Sequence, residues 1–196
     1  MTTQTPDLAS LLCSRLCHDL LSPVGALSNG LELLAEERDP EMRKRCMELL
    51  EQSARISTDK LRFFRLAFGA AGGFDDLVPV DEARGLVDAL VSNNERVSVE
   101  WTLGATALPK PAIKTLLNLA MIGLDALVRG GTLAIGAELR DAASEIVVRA
   151  SGPRIAFDPA IGQAQVPPQL AAGRGGGLQY GRGDDAVVMG GVLRVG

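Results

Sequence analysis

Histidine is all but missing from this chain: His18 is the only one in 196 residues. Cysteine is scarce too. Its three copies, Cys13, Cys17 and Cys46, form no even disulfide set, which fits a reducing compartment. Cys13 and Cys17 lie one helical turn apart with His18 adjacent, but a structural zinc site takes four ligands and no second Cys/His pair completes one. No metal site is therefore expected, and both cysteines are read as small buried hydrophobes. Hydrophobic residues make up 46% of the chain, yet no run approaches the ~20 apolar residues of a membrane span. The opening residues, MTTQTPDLAS, lack the basic and apolar regions of a signal peptide. An excess of positive charge is absent as well: the net charge is −4, which excludes a nucleic-acid footprint. Together these absences predict a cytoplasmic protein without nucleic-acid or membrane partners. Its length suits one or two compact domains with a real core.

What is present begins with "LCSRLCHDLLSPVGALSNGLELL", Leu12 to Leu34. With successive residues ~100° apart, Leu16, Leu20, Pro23, Leu27, Leu31 and Leu34 share one narrow arc, a core-facing stripe. His18 projects almost opposite, among Ser14, Ser22, Gly25 and Asn29. A histidine satisfied inside a core would lie with the leucines; this one faces solvent. The helix should run from about Asp7 to Glu37, kinked at the histidine's turn because Pro23 cannot donate to the Asp19 carbonyl. "ERDP" marks a stop and restart, with Asp39 as N-cap and Pro40 as first helical residue. The second helix, Pro40 to about Gly69, places Met47, Leu50, Ala54, Leu61, Phe64 and Phe68 near helical spacing. Its outer face is charged and includes Glu48. The pair reads as an antiparallel α-hairpin. Two such hairpins would bury their apolar stripes as a dimeric four-helix bundle.

"GAAGGFDD", residues 69 to 76, is the best boundary, and divides the chain into residues 1–72 and 73–196. Beyond it "DEARGLVDALVSNNE" reads as a helix capped by Asp81, "RVSVEWTL" as a strand, and "PKPAIKTLLNLAMIGLDALVRG" as a buried helix ended by Gly130 and Gly131. "TLAIGAEL" and "EIVVRASG" read as a strand hairpin. "AAGRGGGLQYGRGDD" is loop-like, and "AVVMGGVLRVG" holds a final strand. The expected fold class is α+β, with helices on one face of an antiparallel sheet.

A solvent-facing imidazole among small residues suits approach by another protein that carries the reactive group, and phosphoryl transfer needs in-line access and little covalent machinery. "HDLLSP", His18 to Pro23, resembles the H-box of sensor histidine kinases. The longer run "LCSRLCHDLLSPVGALSNGLELL" is similar to the alphaproteobacterial ChpT-type histidine phosphotransferases, cytosolic homodimers that relay phosphate from the receiver domain of a hybrid kinase to response regulators. The resemblance is strongest over residues 8 to 37 and fades after about residue 155. It implies that His18 is the phosphoacceptor, Asp19 its acid/base partner, and Ser22 the residue that helps orient in-line attack. It further implies that Leu21, Gly25 and Arg15 meet the docking receiver.

The same resemblance makes the second part a degenerate relative of the kinase ATP-binding domain, an α/β sandwich. "LLNLAMIGLDAL" resembles the helix that holds Mg²⁺ in kinases and keeps its first asparagine, Asn118, but Ile122 stands where the Mg²⁺ asparagine belongs. "RASGPRI" resembles the adenine-binding loop, with Ala150 at the aspartate position and Arg154 at the second glycine. No cofactor is expected, and the Mg²⁺ of the reaction would come with the receiver. Two other readings use the same residues: an ATP-dependent histidine kinase, or a non-catalytic module that sequesters a response regulator.

Overall fold

A computed structural model describes residues 8–69, 77–92, 94–140, 143–156, 178–182 and 185–194. The chain divides into two compact units, Met1–Arg65 and Leu66–Gly196. The boundary expected at residues 72/73 lies outside the described residues.

The first unit is built on helix α1 (Leu8–Glu36) and most of helix α2 (Pro40–Phe68). The Asp39 carboxylate accepts the Met42 amide at 2.9 Å, the expected N-cap. Glu37 accepts the amides of Arg38 and Asp39, and Arg43 donates to the Leu34 carbonyl in the last turn of α1 and to the Glu37 carbonyl just beyond it. The two helix ends that meet at the turn are thereby capped by side chains of the turn or of the other helix. Further from the turn Gly30 lies against Leu50, and further still Lys60 meets Asp19, so the helices run antiparallel. Pro23 sits inside α1 and is buried.

Within one chain only part of the expected α2 stripe, Leu50 and Phe64, is buried. The buried positions of α2 are Cys46, Leu50, Ser57, Phe63, Phe64 and Ala67, whereas Met47, Ala54 and Leu61 are exposed. On α1 the expected core residue Leu31 is 59% exposed, and Cys13 and Cys17 are exposed rather than buried. The cause is geometric: one helix facing one neighbour covers only a narrow arc, and residues one step round from it stay open. Cys17, Val24 and Leu31, like Met47, Ala54 and Leu61, recur every seven residues along such a flank.

The second unit is a two-layer α/β sandwich. A short ribbon pairs β1 (Leu77–Pro79) with β3 (Ala107–Pro109), antiparallel. Each of these strands ends in a proline that starts a helix, α3 (Val80–Val91) and α4 (Lys110–Ala126). Pro79, not the expected Asp81, is the N-cap of α3, and Asp81 lies within the first turn; the Val80 amide goes to the Thr106 carbonyl instead of to a capping side chain. The main sheet orders β2 (Val97–Leu103), β4 (Gly131–Arg140), β5 (Ala143–Ser151), β7 (Ala186–Arg194) and β6 (Leu178–Arg182).

This sheet is mixed, not wholly antiparallel as expected: β2 pairs with β4 in parallel, because α4 lies between them in the chain and returns it to the same end. "LQYGR", expected within a loop, is the edge strand β6. Both helices cover one face. There Ile113, Leu116, Leu117 and Ala120 of α4 are fully buried, with Leu133, Ile135, Ile146, Val148, Val187 and Met189 of the sheet. The register aligns Ile135 with Val148 and Val148 with Met189, so one apolar row crosses three strands.

Gly131 enters β4 at φ 139°, and a Cβ there would overlap the Ser151 carbonyl oxygen. Gly131→Ala should therefore cost about 2 kcal/mol or more in urea unfolding. Gly25 has nothing within 4 Å of its Cβ position. Gly25→Ala should instead stabilise by up to about 1 kcal/mol, the helix-propensity gain.

Candidate functional site

His18 stands on the open side of α1, with its side chain 87% exposed. Its Nδ1 lies 3.1 Å from Asp19 Oδ1, while Arg15 Nε donates to Asp19 Oδ2 at 2.7 Å. Arg15 and Asp19 are four residues apart, the helical spacing at which such pairs meet. The Asp19 side chain is only 16% exposed. Burial pushes its carboxyl up, but hydrogen bonds from His18 and Arg15 and the charges of Arg15 and Lys60 outweigh this and hold it below the ordinary carboxylate range. Asp19 is therefore an anion at neutral pH. A carboxylate only accepts, so the ring proton belongs on Nδ1, and the Nε2 lone pair points away from the carboxylate as a free nucleophile.

Around this pair Leu21 is 75% exposed, Ser22 is exposed and Gly25 is half-buried with open space above it. The six residues singled out in the sequence thus fall within three turns of one helix. Arg15 is committed through its Nε to Asp19, which gives it a second contact besides any docking role. Lys60 was not legible: it comes from α2, 41 residues later, and donates Nζ to the Asp19 carbonyl at 2.8 Å. The available signal was Pro23, which leaves that carbonyl without its helical donor.

In the second unit Asn118 donates to the Lys114 carbonyl of its own helix. Ile122 is half-buried, Ala150 fully buried and Arg154 exposed. An isoleucine and an alanine offer neither a metal ligand nor an acceptor for an adenine amino group. Among the described residues no three His, Cys, Asp or Glu side chains converge to hold a metal, and no helix is long and apolar enough to cross a membrane.

Comparison with known proteins bears on both units. A family model described as the histidine phosphotransferase C-terminal domain matches residues 80–173, extending past residue 155, where the resemblance read from the sequence fades. The protein phosphotransferase ChpT of Brucella abortus (strain 2308) is 39% identical over 159 residues, 81% of this chain and 74% of the relative. The chain belongs to the ChpT family of histidine phosphotransferases. A solved bacterial phosphotransferase is similar to this ChpT-family chain in structure, with a TM-score of 0.78 and 32% identity over 97% of this chain and 98% of the other. The α+β architecture, a helical hairpin followed by an α/β sandwich, is thus that of the family, and phosphotransfer in a phosphorelay is its activity.

Because the Asp19 carboxyl titrates below its ordinary range, its stabilising contribution is present at neutral pH, persists down through about pH 4, and is lost as pH falls through the lowered value. Asp19→Asn should lower stability by up to about 1 kcal/mol at pH 7, as expected for a partly exposed pair. The gap should be unchanged at about pH 5 and shrink near pH 3, which denaturation at the three pH values measures.

Proposed function

We propose that this chain takes a phosphoryl group from a receiver-domain aspartate onto His18 Nε2 and passes it to a response regulator. The observation that carries this reading is the division of the imidazole: Nδ1 faces Asp19 at 3.1 Å, while the ring is 87% exposed. In the step, Nε2 attacks phosphorus in line as the bond to the aspartyl oxygen breaks. The aspartate leaves as a carboxylate, and Asp19 balances the cationic ring that forms. Reversal at a second receiver completes the relay. The receiver carries the Mg²⁺ that neutralises the transferring oxygens, and this chain needs no cofactor. Ser22, four residues beyond His18, lines the approach. Leu21, Gly25 and Arg15 form the floor on which the receiver rests, with Gly25 keeping the reacting atoms close. Ile122 and Ala150 support a relay rather than an ATP-dependent kinase. The working location is the cytoplasm.

His18→Gln keeps a polar exposed side chain without the nucleophile. It should retain fold and receiver affinity while acid-labile labelling from a phosphorylated receiver falls to background; label retained on the mutant would move the acceptor elsewhere.

The working unit in this proposal is a homodimer. The flanks bearing Val24 and Leu31 on α1, and Met47 and Leu61 on α2, are apolar and exposed in one chain. A second hairpin would cover them as a four-helix bundle. Light scattering should give twice the 20.6 kDa of one chain, and Leu61→Glu with Met47→Glu should halve that mass.

A further inference from the structure

The surroundings of the Asp19 carbonyl assign a task to a residue outside the histidine helix. In an unbroken α-helix this carbonyl would accept the amide of residue 23, which is a proline. The pyrrolidine ring also crowds the carbonyl four residues back, tilting it out of the helical ladder. A buried or half-buried carbonyl still requires a donor.

On α2, the side turned towards α1 carries Leu50 and Ser57, both buried, with Ser53 and Lys60 half-buried. Ser57 is self-sufficient, donating to the Ser53 carbonyl at 2.8 Å. Lys60 is not: an ammonium is costly to bury without an acceptor. The two deficits cancel, since Lys60 Nζ donates to the Asp19 carbonyl at 2.8 Å. The peptide so held joins Asp19 to Leu20, and the Asp19 side chain springs from the same α-carbon.

We propose that Lys60 is a positioning residue for phosphotransfer. It replaces the backbone donor that Pro23 removes, fixing the turn from which Asp19 orients the His18 ring. The proposal rests on His18 as phosphoacceptor, but its structural half concerns the unphosphorylated ring and is measurable alone. Lys60 acts through Asp19 and touches no reacting atom. Its loss should therefore slow the chemical step and leave receiver binding intact.

The test compares Lys60→Met and Lys60→Arg, each in the natural background and combined with Pro23→Ala, which restores an amide donor to the Asp19 carbonyl. Two readouts are taken on the full chain: the imidazole nitrogen signals of His18, unambiguous because the chain holds one histidine, and kcat and KM for transfer from a phosphorylated receiver. Lys60→Met should lower kcat about 10- to 100-fold, as sub-ångström to 1 Å misplacement does, with KM changed less than about twofold. Its ring signals should move from one held tautomer towards an average of two. Lys60→Arg, which keeps a charged donor, should recover kcat to within about threefold. With Pro23→Ala present, the further effect of Lys60→Met should fall below about threefold, because the carbonyl no longer needs the ammonium. Should Lys60→Met fail to fold, Lys60→Gln, shorter and uncharged, is read against the same expectations. Natural kcat in Lys60→Met overturns the positioning role. So does an unchanged ring spectrum, or an equal loss in both Pro23 backgrounds. If no receiver labels the natural protein, the reading of His18 fails instead, and the ring spectrum alone decides the proposal for Lys60.

Discussion

Pro23 has no hydrogen to offer the carbonyl four residues before it, and the hairpin is arranged around that lack. The Asp19 carbonyl is taken up by Lys60 of the neighbouring helix, and the Asp19 carboxylate is shared between Arg15 and His18. A single residue thus ties together two helices and the imidazole. The arrangement holds one ring nitrogen firmly and leaves the other to whatever arrives from solvent. This is site-building of a different kind from an enzyme pocket, where walls select and enclose a small substrate. Here the convex helix supplies an oriented atom, and in the proposed reaction enclosure would be left to the incoming protein.

The second unit is governed by other physics. Its stability comes from apolar rows such as Ile135, Val148 and Met189 beneath helix α4, none of which depends on a bound nucleotide. Ile122 and Ala150 fit this setting comfortably, one half-buried and the other wholly buried. The sandwich is held by its layers, while Ile122 and Ala150 bring no polar side-chain atoms that could grip a ligand. Core and ligand site are separable because packing is set by volume and register, whereas binding is set by a few donors and acceptors.

Much of this was legible from the residues. The long first helix, the Asp39–Pro40 restart, the strands around Trp101, Ile135 and Val148, and the outward face of His18 all follow from periodicity and capping chemistry. Other features were not. Periodicity locates an apolar stripe but not which part of it the chain's own second helix covers, so Leu31, Met47, Ala54 and Leu61 read as stripe residues while one hairpin alone leaves them exposed. Asp81 looked like a cap because the competing partner of the Val80 amide, Thr106, lies 26 residues away. The strand "LQYGR" was hidden by its glycine-rich surroundings, and its pairing with Val187–Gly191 is a non-local fact. Lys60 escaped for the same reason: a missing donor is visible in the sequence, but the side chain that replaces it is identified only by the fold.

The exposure of His18 has one more consequence. If His18 carries a phosphoryl group as proposed, on so open a ring it would stand as accessible to water as to any protein, with none of the described residues closing over it. Nothing described in this chain then acts as a timer. The lifetime of the stored signal would be a contest between hydrolysis and the next encounter, and cellular concentrations of the partners would set how long a message survives.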